Sequence, residues 1–191
     1  MSASAILWRR LDTPGLEACR LERPGPLWVL RGSAVFVYEL RPCRLSYVVE
    51  CDEQWRTSRA TVDGWIDVEP VSIEIHADST GRWTLNGEER LAVAGSIDID
   101  LNFSPSTNLL PIRRLSLAIG QEAPVRAAWL RFPELTLEPL QQRYRRTGPG
   151  SYGYESGGGE FTADLEVDAS GFVTEYPRFF RAEAFGSTSA Q

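Results

Sequence analysis

The stretch Val71-Ser72-Ile73-Glu74-Ile75-His76-Ala77-Asp78-Ser79-Thr80-Gly81-Arg82-Trp83-Thr84-Leu85-Asn86-Gly87 decides the fold class. Val71, Ile73 and Ile75 alternate with Ser72, Glu74 and His76, so a strand carries its aliphatic groups on one face and its polar groups on the other. Asp78 in first place and Gly81 in fourth are the residue choices of a type I turn. Trp83-Thr84-Leu85 then resumes a return strand, and Asn86-Gly87 signals a tight primed hairpin. The product is a β-meander.

Outward from this stretch the same period of two recurs over 5–11, 17–22, 27–31, 33–41, 44–51, 55–62, 91–101, 125–132, 135–138, 141–146, 151–155, 160–167, 171–176 and 178–184, with Pro or Gly between most of them. Helical spacing is hard to find over any useful window, so the chain reads as mainly β. Residues 166–173 repeat the order strand, D-x-x-G turn, strand; Asp and Gly are what that turn demands in any protein, so convergent hairpin chemistry explains the echo. One segment departs from the pattern. Pro111 to Leu117 predicts a short helix near 111–118, with Thr107 and Asn108 upstream as side-chain caps and Gly120 as its stop. The stretch GPGSYGYESGGG over 148–159 reads as a flexible flap between strands. Its G-x-G-x-x-G is a chance match, because it opens no helix after a buried strand. A single β domain over 1–185 and a disordered tail over 186–191 complete the organisation.

With 191 residues, 42% hydrophobic and 24% charged, the chain has the length and composition of one globular domain. A net charge of −6 argues against a duplex nucleic-acid binder, which needs a basic face to release counterions. All 20 basic residues are Arg, for which biased codon usage is the plainer cause, ahead of selection for the guanidinium fork. Cys19, Cys43 and Cys51 form an odd set without C-x-x-C spacing, so reduced thiols fit better than a disulfide framework or a Cys-based zinc site. The apolar run Ala5 to Trp8 is too short for a signal-peptide core, and no run approaches the roughly 18 residues that cross a bilayer. A cytoplasmic protein without a transmembrane segment is the expectation. With His76 the only histidine, a His-based triad or multi-histidine metal site is out of reach or rests on that one residue. No cofactor, metal or catalytic residue is assigned.

The densest polar set runs from Asp98 to Arg114. On a strand, Asp98 and Asp100 share one face while Ile97, Ile99 and Leu101 line the other. The pair reads as two solvated carboxylates, as an acid/base or metal pair, or as partners that hold Arg113 or Arg114 after the chain turns back. Ser104, Thr107 and Asn108 lead into the helix N-terminus, with Arg113 and Arg114 in reach, so an anionic head group has donors there; capping alone also explains the hydroxyls and the amide. Trp8, Trp28, Trp55, Trp65, Trp83 and Trp129 are spread across the strands. Either they pack a core, or in a curled sheet part of the concave face stays open as an apolar pocket; both readings stand at this point.

The run Asp98-Ile99-Asp100-Leu101 through Ser104-Pro105-Ser106-Thr107-Asn108-Leu109-Leu110-Pro111-Ile112-Arg113-Arg114-Leu115 resembles the signature of the bacterial family described as "Putative glycolipid-binding". Trp8, residues 52–59, Gly81-Arg82-Trp83, Gln142-x-Tyr144 and residues 167–177 also resemble that family, so the similarity covers nearly the whole chain. The resemblance implies a large antiparallel sheet curled into a half-barrel or open barrel, similar to bacterial lipoprotein carriers. It also implies non-enzymatic binding of a glycolipid or other amphiphile. The candidate ligand-binding residues are then Asp98, Asp100, Ser104, Thr107, Asn108, Arg113 and Arg114 for the head group and Trp55, Trp65, Trp83 and Tyr144 for the apolar part. Two rivals remain: an enzyme acting on a lipid or sugar ester or phosphate through Asp98 and Asp100, and a scaffold that pairs through exposed edge strands.

Overall fold

The computed structural model describes residues 3–188. Fifteen strands follow in order: β1 (Ala3–Arg10), β2 (Gly15–Glu22), β3 (Trp28–Tyr38), β4 (Arg41–Cys51), β5 (Thr57–Ile66), β6 (Glu69–Ala77), β7 (Trp83–Leu85), β8 (Glu88–Glu89), β9 (Asp98–Asp100), β10 (Glu122–Arg131), β11 (Thr136–Arg146), β12 (Ser151–Ser156), β13 (Phe161–Val167), β14 (Val173–Tyr176) and β15 (Phe180–Thr188). They form one sheet in the order β8-β7-β6-β5-β4-β3-β2-β1-β15-β14-β13-β12-β11-β10-β9. Every neighbouring pair is antiparallel except β9 and β10, which run parallel, so the sheet is mixed at one edge. That is the one departure from the all-antiparallel expectation, and it follows from the 101–121 crossover that separates these two strands.

The sheet does not close into a barrel. Its curl nevertheless brings the far edge home: Thr57 N donates to Ile97 O at 3.1 Å, and Gly95 N donates to Gly81 O at 2.8 Å. Ile99 N in turn donates to Thr57 Oγ1. A few isolated contacts rather than a ladder therefore join β9 to the start of β5 and the 81 and 95 turns to each other.

Local chemistry explains most elements. Val71 and Ile75 are buried while Ser72, Glu74 and His76 are exposed. Asp78 Oδ1 accepts from the amides of Thr80 and Arg82, and Asn86 and Gly87 take φ of 51° and 82°, the positive values a primed hairpin needs. Asp168 repeats the first motif, its Oδ1 accepting from the amides of Ser170 and Phe172. Gly32, which separates the two strands expected at 27–31 and 33–41, lies inside β3. A Cβ there would fall 2.2 Å from Tyr47 Cζ, so the glycine makes room for a ring rather than a turn. Half of the flap expected over 148–159 is instead β12, because Tyr152 and Tyr154 alternate inward and bury; the bend over 148–150 and the three-glycine turn 157–159 flank it. Over the range expected as strand from 91 to 101, Leu91–Val93 form a 3-10 turn and Asp98–Asp100 alone pair. Of the expected tail, residues 186–188 continue β15 opposite β1, and 189–191 lie outside the described residues.

The helix sits two residues earlier than expected. A 3-10 turn over Ser106–Asn108 runs into α1 (Leu109–Leu115), and Ser116, with φ 45°, ends it ahead of Gly120. A seven-residue helix has little stability of its own, and burial of Leu109, Leu110, Pro111 and Ile112 holds it. Each such apolar side chain contributes about 1.5–3 kcal/mol. The segment 101–115 thereby fills part of the concave interior. Leu101, Phe103, Leu109 and Leu110 join Trp8, Leu45, Ile75, Trp83 and Phe172 in one large core, and Ile112 packs with Val125, Tyr144, Tyr152, Tyr154 and Leu165 in a second.

Candidate functional site

Because successive strands reverse, turns fall alternately at two ends of the sheet. One end is shut by α1 and by the loop that carries Trp55. There Trp55 stacks on Trp28 with ring centroids 4.3 Å apart, and the Arg113 guanidinium lies 5.3 Å over the Trp55 ring. The aliphatic stem of Arg113 runs close against Gly171, leaving no room for a Cβ.

At the other end a cavity of about 800 Å³ remains open. It is lined from the β1/β2 turn (Asp12, Thr13), the β3/β4 turn (Tyr38, Glu39), the β10/β11 turn (Phe132), the β12/β13 turn (Gly157, Glu160) and the β14/β15 turn (Phe179). Two aromatic walls face it. Phe132 packs edge-on against Phe36 and Tyr38 at 5.4 and 5.0 Å, and Tyr176 packs against Tyr154 and Phe179 at 6.1 and 5.4 Å. Trp129, Phe103, Phe161 and Phe180 complete the apolar lining. A volume of this size matches the pockets that take drug-sized molecules.

The 101–108 segment supplies the polar floor. Asp100 is partly buried and lines the cavity; its Oδ2 accepts from Gln142 Nε2 at 2.6 Å, and Gln142 Nε2 also reaches Tyr154 Oη at 3.0 Å. Burial pushes the Asp100 carboxyl up to about 6, against the opposing pull of the Gln142 hydrogen bond. Asn108 accepts from Tyr144 Oη through Oδ1 at 2.8 Å and donates to Pro105 O through Nδ2 at 3.1 Å. Ser104 Oγ donates to Glu17 Oε1 at 2.5 Å and lies 2.7 Å from Ser106 Oγ. Glu17 also accepts from Tyr47 Oη at 2.6 Å, while its second carboxylate oxygen is buried without a partner among the described residues. Burial raises the Glu17 carboxyl to about 7, although its hydrogen bonds to Ser104 and Tyr47 oppose the rise.

Among the described residues one cation lines the cavity, and a carboxylate answers its charge. Arg10 lies between the rings of Phe36 and Phe180, at 4.5 and 4.9 Å. It donates from Nη2 to Asp12 Oδ2 at 2.9 Å and from Nη1 to Phe103 O at 3.0 Å.

Of the candidate ligand-binding residues, Asp100, Ser104 and Asn108 line this cavity and the others do not; of the six tryptophans, Trp129 does. Arg114 closes on the buried Asp98 carboxylate, Nε to Oδ1 at 3.1 Å and Nη2 to Oδ2, which is the third of the roles considered for that aspartate. Burial pushes the Asp98 carboxyl up and Arg114 pulls it back. Thr107 and Asn108 do not cap a helix; they lie buried inside the 3-10 turn, where Thr107 Oγ1 accepts from Leu101 N at 3.2 Å. Trp83 is buried and donates to Ser96 O, and Tyr144 is buried behind Asn108. Trp65 lies next to inward Ile66 and so stands on the opposite face of β5. The sequence reading missed Arg10, Phe132 and Glu17. A signal existed for the last, because Glu17, Cys19 and Leu21 share one face of β2, and a carboxylate on an apolar stripe marks a buried charge.

The three cysteines are free and buried, and among the described residues no helix is long and apolar enough to cross a membrane.

Comparison with known proteins adds three findings. Residues 5–182 match the model of a family described as "Putative glycolipid-binding". The fold is similar to the crystal structure of a DUF1089 family protein from Pseudomonas aeruginosa, with TM-score 0.76 and 33% identity over 87% of this chain and 91% of that one. It is similar also to a beta-barrel-like protein of domain of unknown function DUF1849 from Brucella abortus, with TM-score 0.57 and 6% identity over 98% of both chains, a likeness of fold alone. No curated protein sequence matches.

Proposed function

The chain belongs to the family described as "Putative glycolipid-binding", and from that membership we propose that it is a carrier whose open-ended cavity holds an amphiphile, a glycolipid. One observation carries the reading: a cavity of about 800 Å³ with two aromatic walls and a floor of hydrogen-bonding groups. Acyl chains displace water from the Phe132 and Tyr176 walls, and head-group hydroxyls meet Asp100, Asn108 and Ser104.

The enzyme reading needs two carboxylates acting together. Asp98 is committed to Arg114, so the pair is divided between a structural and a cavity-facing role. The scaffold reading needs long free edges. The two edge strands are β8, of two residues, and β9, of three, which offer little ladder to a partner.

Trp129 provides the test, since it lines the cavity while Trp8 and Trp83 are buried elsewhere. A single-tailed hexoside with a brominated acyl chain should quench part of the tryptophan emission saturably, and Trp129→Phe should abolish most of that quenching. Quenching that persists unchanged in the variant would mean that the chain binds somewhere else.

A further inference from the structure

The charge of the cavity says which head groups it accepts. Its lining carries Arg10 against Asp12, Glu39, Asp100 and Glu160. Arg10 commits its Nε/Nη2 fork to Asp12 and an Nη1 hydrogen to Phe103 O, so its charge is already answered by a carboxylate. Glu39 is answered by Arg41 at the surface, 3.1 Å away. Among the described residues Asp100 and Glu160 have no cationic partner, and Asp100 lies among aromatic walls, where a charge is poorly screened. Behind Ser104, Glu17 adds a further carboxyl with an unpaired oxygen. The two arginines that a sequence reading offers to an anion, Arg113 and Arg114, are engaged at the closed end and with Asp98.

Resting on the carrier reading above, we infer that this cavity selects neutral, hydroxyl-rich head groups and excludes anionic ones. Carboxylate and amide oxygens accept from sugar hydroxyls, aromatic faces pack on the sugar's C–H face, and the uncompensated carboxylates repel phosphate, sulfate and sulfonate. The ligand class is therefore an uncharged glycosyl lipid, not a phospholipid or an acidic glycolipid.

A matched pair of lipids tests this. Galactosyl diacylglycerol and sulfoquinovosyl diacylglycerol with identical acyl chains present a neutral and a sulfonated hexose. In competition on the full-length protein, read by native mass spectrometry at low ionic strength, the neutral lipid should bind at least tenfold more tightly. Asp100→Asn together with Glu160→Gln should cut that preference to less than threefold, and Glu160→Gln alone, at an exposed turn, should narrow it without disturbing the fold. Equal or tighter binding of the sulfonated lipid would overturn the inference and leave the carrier reading in place. Binding of neither lipid would overturn both.

Discussion

Arg114, from the last turn of α1, forks onto the carboxylate of Asp98 in β9 and ties the plug of the half-barrel to the edge of its sheet. Asp98 is 1% exposed and Arg114 17%, so the pair is shielded where its neighbour Arg113 is not.

That contrast separates two adjacent arginines. Arg114→Ala strands a buried carboxylate and should cost about 3–5 kcal/mol of stability. Arg113→Ala removes an exposed contact with the Trp55 ring and should cost no more than about 1 kcal/mol. Urea unfolding of the two variants checks the difference; equal losses would mean that the Asp98 pair does not anchor the plug.

The Glu17 carboxyl predicts how stability changes with pH. Its folded value of about 7 lies above the ordinary 4.5, so the folded chain holds this proton more tightly than the unfolded chain does. The resulting stabilisation is complete below about 4.5 and is lost as pH rises through 7, a change on the order of 3 kcal/mol. Asp100, raised to about 6, acts in the same direction over a window that starts and ends lower. Unfolding free energy should therefore fall between pH 5 and 8, and Glu17→Gln should remove most of the fall above pH 6. An unchanged slope in Glu17→Gln would place the titrating group elsewhere.

What the sequence made legible was local. Asn86-Gly87, Asp78 to Gly81 and the alternation of Val71 to Ile75 are chemistry between near neighbours, and they appear in the structure as read. The helix was legible from Pro111, but its caps were not: Thr107 and Asn108 look like capping residues until tertiary contacts with Leu101 and Tyr144 claim their side chains. The location of the cavity was not legible either. Which end of a curled sheet stays open depends on where 101–115 folds back, and that long-range event sets Arg113 over Trp55 and packs Leu101, Leu109 and Leu110 into the core that holds Trp83, while Phe132 stays at the mouth. Period-two alternation says that a residue faces inward, not whether the interior there is filled.

Two aromatic substitutions should consequently behave differently. Trp83→Ala empties a core site and should cost about 3–5 kcal/mol of stability. Phe132→Ala opens the wall against Phe36, Tyr38 and Phe103, and should leave a folded protein that holds an acyl probe about tenfold more weakly, or about 1.4 kcal/mol. Probe titration alongside thermal unfolding separates these effects. Retention of full probe affinity by Phe132→Ala would remove that wall from the site.

The most direct measurement is native mass spectrometry of the protein purified without detergent, followed by solvent extraction and identification of what is released. The carrier account predicts a discrete adduct of amphiphile mass, weakened in Phe132→Ala and identified on extraction as a neutral glycosyl lipid. An apo mass that persists after incubation with excess galactosyl diacylglycerol would contradict it.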